Sequence, residues 1–499
     1  MGSDYQRLTK AFDAADTEVP GISRTDFELE SAPNTQPTTY ASRLRWLLLP
    51  EFLRGSNETR PKLRNTSYLD GIRGLAAVIV YLAHNLLSAN SIFTPLEVAF
   101  GYQGKNRYLI NLPFLRLLFT GSHVAVPIFF VISGYVQARK PVQQLHNKQE
   151  ISGTLASAIF RRPFRLYTPV IGSTLSFAIL WHLLGITPAF NHHEPNLVAE
   201  LKYYAKSLWY WTYIFRSKHR GYFADHLQTQ NAWLDYNGHT WTIRVELQGS
   251  IVVCLFLLFL SKAKPKARIS ITSAAALYFL VQGNCYVSTF LAGSVIAELD
   301  LLSTSPRDFL IAHNFPFRTP IFLVMLCLGC YLGAPPAMGL LYMSSEMMSE
   351  QPGWHYISRL VPWIYYDVIH FLVSIASVFI IVPIMALPQL RWPFESGPMQ
   401  YLGRISFALY LVHGPVLETL GLWMYAMVGK TLVQPDVPAS PWQDFLPVPK
   451  VGPSGFDLPF IVANLVIFPV TLCAAEICMR LFDKTSVVIA RRAYELITE

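Results

Sequence analysis

Charge is what this chain has least of. Only 14% of its 499 residues are Asp, Glu, Lys or Arg, against 52% hydrophobic, and mean hydropathy is +0.31. That balance excludes an ordinary soluble domain and points to a polytopic membrane protein. A basic-then-apolar opening is also missing. The first 65 residues carry mixed charge and much Ser, Thr and Pro, so no cleaved signal peptide is expected and the first membrane helix serves as its own insertion signal. Cysteine is sparse. The six residues Cys254, Cys285, Cys327, Cys330, Cys473 and Cys478 lie in or beside apolar segments, and Cys327-Leu-Gly-Cys330 has neither a second pair nor a nearby histidine. Buried free thiols are expected there, and no metal centre. No dense basic block exists either; the formal net charge of +8 is spread over short loops, which argues against nucleic acid as a partner and encodes orientation instead.

Apolar runs of about twenty residues predict an all-α fold with about ten transmembrane helices. The runs are approximately Leu69 to Ala89, Leu115 to Gln137, Phe164 to Ile186, Thr240 to Leu260, Ile269 to Gly283, Cys285 to Leu301, Ile321 to Gly333, Trp363 to Leu387, Met399 to Met427 and Leu458 to Leu481. They predict a polar tail over 1–65, one membrane domain over 66–485 and a short tail over 486–499. With the N-terminus cytoplasmic, that side receives about 27 of the 40 Lys and Arg and the other side about 10, so both termini are expected in the cytoplasm. Endoplasmic reticulum and plasma membrane remain equal readings. Ser42 to Arg54 is amphipathic and basic, as an interfacial helix on anionic lipid would be. Asn57 and Asn65 match the glycosylation pattern but are expected to face the cytoplasm unmodified.

The largest non-cytoplasmic loop, about Thr187 to His239, holds an aromatic stretch from Leu201 to Phe215. It reads as a membrane-interface belt or as the wall of a pocket. His192, His193 and Glu194 are adjacent, and neighbours in sequence rarely face one ion, so a solvated loop is the better reading.

The first apolar run, Tyr68-Leu-Asp-Gly-Ile-Arg-Gly-Leu-Ala-Ala through His84-Asn85, is entered through Asp70 and Arg73 and interrupted by one imidazole. Arg73 and His84 are eleven positions apart, which puts them on nearly one helix face and roughly 16 Å apart along the axis. An ionisable group inside a membrane segment is costly and marks function or a polar cavity. Two readings stand: a donor-binding arginine aligned with a catalytic histidine, or an arginine that snorkels to headgroups and a histidine bonded to a neighbouring helix.

Read with four further stretches, that segment resembles the membrane-bound acyltransferase 3 family, whose members move acyl groups from acyl-CoA to hydroxyls. The four are Phe129-Phe-Val-Ile-Ser-Gly-Tyr135, Arg161-Arg-Pro-Phe-Arg-Leu-Tyr-Thr-Pro169, Thr240-Trp-Thr-Ile-Arg-Val-Glu246 and Gly403-Arg-Ile-Ser-Phe-Ala-Leu-Tyr-Leu-Val-His413. The resemblance spans about residues 65 to 485 and implies ten core helices. Thr242 stands where a serine is commoner, and Tyr135 where a phenylalanine is.

What the resemblance implies for the chemistry is an acyl-CoA co-substrate, with acetyl-CoA the first candidate, no tightly bound cofactor, a hydroxylated acceptor and lipid around the domain. Acyl transfer needs a base, oxyanion donors and a grip on phosphates. His84 is the candidate base. Arg73 would hold the donor and Asp70 would orient its guanidinium. Arg161, Arg162 and Arg165 form a candidate phosphate clamp with Ser133 nearby, or else serve only orientation. Glu246 is a candidate catalytic carboxylate or a structural partner of Arg244. Trp241, Arg244 and His413 would support the site, His413 as a second imidazole or as a helix-to-helix hydrogen bond. The acceptor reads as a lipid-like natural product or a glycan. No His precedes Asp by five positions and no Gly-x-Ser-x-Gly elbow occurs, so direct transfer is simpler than a serine acyl-enzyme. The rival reading is a proton-coupled transporter built on Arg73, His84, Glu246 and His413, though no internal repeat is evident.

Overall fold

A computed structural model describes residues 63–90, 96–185, 194–212, 233–302, 317–337, 343–430, 442–453 and 455–498. Among them the only β-type pairings are two isolated bridges, Tyr102 with Asn106 and Leu234 with Asn237. Everything regular is helix, because an apolar solvent leaves each backbone group to be satisfied within its own segment.

All ten apolar runs coincide with helices. These are α1 (Ser67–Asn90), α2 (Ser122–His146), α3 (Ser152–Leu184), α5 (Trp241–Phe259), α6 (Pro265–Val281), α7 (Cys285–Leu302), α8 (Arg318–Leu332), α9 (Ile369–Ala386), α10 (Gly397–Val416) and α12 (Leu458–Cys478). Between α3 and α5 lies α4 (Leu197–Trp211); α10 runs through a π turn at Leu417–Gly421 into α11 (Leu422–Met427), and α12 through Met479–Asp483 into α13 (Lys484–Thr498). Among the described residues seven segments are long and apolar enough to cross a membrane: Ser67–Asn90, Ser152–Leu184, Gly238–Phe259, Cys285–Leu302, Ile369–Ala386, Gly397–Met427 and Leu458–Thr498. Helix α2 carries Pro127, Pro141, Arg139 and Lys140, while α6 and α8 have 17 and 15 residues. The largest departure from the predicted ends is α3. It starts at Ser152, so Arg161, Arg162 and Arg165 lie inside the helix and not at its mouth.

Apolar side chains face both ways. Val253, Phe290 and Val373 are fully buried, while Phe259, Leu277 and Leu465 point outward, as lipid contact requires. This corrects the expectation for the thiols. All six cysteines are free, but Cys327 is exposed and Cys330 and Cys473 are half-buried; α8 buries only Phe322 and Gly329, and Cys473 lies off the buried face of α12. Ser42 to Arg54, His192 and His193 lie outside the described residues.

Two helices set the height of everything that follows. Along α1 and α10 the backbones meet at glycines: a Cβ on Gly74 would lie 2.6 Å from the Gly403 amide nitrogen, and one on Gly403 would lie 2.4 Å from the Asp70 carbonyl oxygen. Small residues permit this approach, and dispersion between the closely packed backbones stabilises it in lipid. Ten residues beyond Gly74 is His84, and ten beyond Gly403 is His413. The helices run parallel, so both imidazoles rise about 15 Å from the crossing and their ring centroids stand 5.4 Å apart.

Gly403→Ala is therefore expected to separate α1 from α10 and destabilise the detergent-solubilised protein by about 1–3 kcal/mol. Gly153→Ala, at a position where a Cβ would meet nothing within 4 Å, should leave the thermal midpoint unchanged or slightly higher; equal midpoints for the two variants would refute the crossing as a constraint.

Candidate active site

His84 and His413 are joined by a third imidazole that sequence reasoning did not single out. His239 sits in the 3-10 turn Gly238–Thr240 just ahead of α5. Its ring centroid is 4.2 Å from that of His84 and 4.3 Å from that of His413. One nitrogen from each of the three rings lies within 4.8 Å of the others. His413 is buried; His84 and His239 are partly accessible.

The local sequence explains how His239 gets there. Asn237 accepts a hydrogen bond from the His239 amide at 3.0 Å and donates one to the Leu411 carbonyl of α10 at 2.7 Å. One side chain thus caps the turn and ties it to the helix that bears His413. Gly414 makes the room: a Cβ there would meet His239 Cδ2 at 2.6 Å. Tyr410 donates to the His239 carbonyl at 3.0 Å. From the other side α4 holds the loop. Tyr203 and Ser207 both donate to Asp235, at 2.9 and 2.8 Å, and Tyr236 donates to Glu200.

Glu200 is the keystone of that clamp. It also meets His182 at 3.0 Å and accepts the Glu194 amide at 2.7 Å. Burial works to raise its carboxyl, but the hydrogen bonds from Tyr236, Glu194 and His182 outweigh burial and hold it below the ordinary carboxylate range. The aromatic stretch has two faces: Tyr204 and Trp211 are buried, while Trp209 is 79% exposed and Tyr210 also faces outward. Phe215 lies outside the described residues.

At the His84 end of α1 a second polar knot fixes the helix. Asn85, Tyr81, Asn464 and Tyr425 hydrogen-bond one another, with Tyr425 donating to Asn85 at 2.6 Å and Tyr81 donating to Asn464 at 2.9 Å. His413 is oriented from its own helix. Its Nδ1 donates to the Leu409 carbonyl at 3.2 Å, which leaves Nε2 buried without a partner among the described residues.

The arginines gather at the other end. Asp70 meets Arg73 at 3.8 Å, as expected, and also Arg64 at 3.1 Å. Arg165 lies in electrostatic reach of Arg162, Asp483, Arg73 and Arg161. Arg161 is exposed and donates from Nε to the Ser157 carbonyl at 3.2 Å. Glu246 pairs with Arg162 and accepts from Ser133 at 2.6 Å. The Arg244 pairing expected for it is corrected by helix geometry, since residues two apart diverge by about 200° around the axis. Trp241 packs against Tyr286, with centroids 5.6 Å apart. The structure therefore brings His84 and His413 together, collects Asp70, Arg73 and Arg165 elsewhere, and sets Glu246, Ser133 and Arg162 in a bridge between α5, α2 and α3.

A family profile described as an acyltransferase domain matches residues 66–478. An O-acetyltransferase of Phomopsis amygdali is 30% identical over 419 residues, covering 78% of this chain and 79% of the relative. An acyltransferase of Cochliobolus lunatus is 24% identical over 431 residues, covering 74% and 87%, and an acyltransferase of a Phoma species is 23% identical over 491 residues, covering 87% and 96%. No solved structure matches.

Because Glu200 is held below the ordinary carboxylate value near 4.5, its contribution to stability is complete above that pH and is lost as pH falls through the lower folded value. Glu200→Gln should lower the thermal midpoint at pH 6 to 8 by an amount equivalent to about 1–3 kcal/mol. The gap from wild type should close below about pH 4; a gap independent of pH would show that the charge is not what clamps the loop.

Proposed function

The chain belongs to the acyltransferase 3 family, whose domain takes in residues 66–478, and we propose that this membrane acyltransferase moves an acyl group from acyl-CoA to a hydroxyl, with His84 as the base. The observation that carries the reading is the convergence of His84, His239 and His413 at one level of the helix bundle. Thioester-to-alcohol transfer needs a lone pair where the hydroxyl proton leaves, and an imidazole supplies one near neutral pH. His84 is the ring of the three on the helix that also bears Arg73, about 16 Å away. That distance suits an extended pantetheine-like arm reaching from phosphates near the arginines to a thioester near the imidazoles.

In this reading Arg73 and Arg165, with Arg161 at the exposed edge, grip the phosphates of the donor. Arg162 and Ser133 hold Glu246 in place between the two ends. The hydroxyl oxygen attacks the thioester carbonyl, its proton passes to His84, and the carbon–sulfur bond breaks to release CoA, which takes up a proton at sulfur. The two termini and the arginine end face the cytoplasm, where acyl-CoA is made, and the acceptor enters from the bilayer or the far side. Acetyl is the favoured acyl group, since one relative is named an O-acetyltransferase. The fungal relatives and the aromatic wall of α4 favour an apolar, hydroxylated natural product as acceptor.

The test is release of free CoA from acetyl-CoA and longer donors by detergent-purified protein. His84→Ala should lower transfer by 10²-fold or more with little change in the affinity for CoA, and Arg73→Ala should raise the KM for the donor tenfold or more. Turnover that persists in His84→Ala would overturn the base assignment. Absence of any CoA binding or release, together with His84-dependent solute flux in vesicles, would overturn the enzyme reading.

A further inference from the structure

Three imidazoles from three separate elements, α1, the turn before α5, and α10, present one nitrogen each within 4.8 Å of one another. The proton-transfer reading uses only one of them. From this geometry we propose that His84, His239 and His413 form a binding site for one divalent transition-metal ion of the zinc or cobalt type, and that the bound ion inhibits acyl transfer. The binding half stands on the geometry alone. The inhibitory half rests on the reading of His84 as the base.

Two features beyond proximity point to a ligand. The first is His413. Its Nδ1 hydrogen is given to the Leu409 carbonyl at 3.2 Å, so Nε2 must carry the lone pair, and that atom is buried with no partner among the described residues. A carbonyl that takes one ring N–H and turns the opposite lone pair toward the site is the usual support of a metal-bound histidine. The second is latitude in the other two rings. His84 and His239 are only partly buried, and neither ring makes a hydrogen bond among the described residues, so both can rotate toward a common centre. A tetrahedral ion with metal–nitrogen bonds of about 2.0–2.1 Å needs nitrogens roughly 3.3 Å apart. Ring rotations on the order of 1 Å close the difference. Three protein ligands leave the fourth position open to water or a hydroxyl.

Ligand type fixes the ion. Imidazole nitrogens select zinc, cobalt, nickel or copper and discriminate against magnesium and calcium, which demand oxygen. Among the described residues the site contains no carboxylate, and Glu246, seven residues beyond His239, is already paired with Arg162. Three neutral ligands leave the double charge of the ion uncompensated in an apolar bundle, so binding is expected in the micromolar range, not at the strength of a charged structural site. The consequence for transfer follows from occupancy. A ring nitrogen that donates its lone pair to a metal cannot accept the hydroxyl proton.

Full-length protein purified in detergent and stripped with chelator would be titrated with Co²⁺. One equivalent should bind with the intense visible bands of tetrahedral cobalt, Zn²⁺ should displace it, and Mg²⁺ should not. His239→Ala and His413→Ala should each weaken binding at least tenfold. To separate binding from misfolding, the thermal midpoint offers an independent readout: Zn²⁺ should raise it for wild type and leave His239→Gln unmoved. With acetyl-CoA, transfer should fall with the same Zn²⁺ dependence and recover on chelation. A missing one-equivalent site, or one that survives both substitutions, overturns the proposal. Protein that arrives with bound metal and loses transfer when stripped overturns the inhibitory half. Transfer that depends on His84 without any cobalt site refutes this inference alone, and a cobalt site without transfer from any donor refutes the proposed function alone.

Discussion

The contact between Gly74 and Gly403 is the constraint on which the arrangement of this protein turns. In lipid, apolar side chains gain nothing by leaving one apolar surface for another, so two helices stay together through close packing and the hydrogen bonds it permits. Here the packing is backbone on backbone, with Gly71 against the Phe394 carbonyl and Gly74 against Gly403. Such a contact fixes the separation, direction and register of two helices together. Register is what matters chemically. Because His84 and His413 are each ten residues past their glycine, a slip of one residue on either helix would swing one imidazole about 100° out of the site.

The third imidazole is held by different physics. His239 precedes its helix, where backbone amides lack partners and a capping side chain decides the path of the chain. Asn237 supplies the cap and uses its amide group to reach α10. Glu200, Tyr236, Asp235, Tyr203 and Ser207 then brace the loop from α4. Helix packing aligns two rings, and a polar scaffold outside the bundle delivers the third. Loops that carry functional groups are commonly positioned by a rigid scaffold in this way.

How far this was legible depends on the kind of signal each residue leaves. Helices left a strong one, since lipid demands long apolar runs, and each predicted run holds a helix. Arg73 and His84 were visible as ionisable residues at helical spacing. His413 entered through the motif Gly403 to His413. His239 left almost nothing, because it stands outside any apolar run and 155 positions from His84; only Asn237-Gly-His-Thr ahead of Trp241, a capping pattern, and the glycine after His413 hinted at it. The partner of Glu246 was illegible for a similar reason. Arg162 is 84 residues away on another helix, and proximity in sequence favoured Arg244, which helix geometry turns to a different side. The burial of α8 could not be read either, because an apolar face toward lipid and one toward protein have the same composition.

The arginines show how charge is tolerated in such a bundle and what that tolerance implies. Three of the guanidiniums that the helices draw inward have a carboxylate within reach: Asp70 for Arg73, Glu246 for Arg162, and Asp483 for Arg165. Pairing of this kind is required, since a lone buried ion costs several kcal/mol. The pairs are not equivalent. Arg162 and Glu246 are both largely buried, with side-chain exposures of 18% and 13%, whereas Arg73 and Asp70 are about one-third exposed and Asp70 is shared with Arg64. A phosphate entering from water can compete for the half-solvated Arg73 at little cost, because the pair it disrupts is weak. Taking Arg162 from Glu246 would strand a buried carboxylate, at about 3–5 kcal/mol. Depth thus divides Arg73 from Arg162: the partly solvated guanidinium is open to an anion, and the buried one is committed to Glu246.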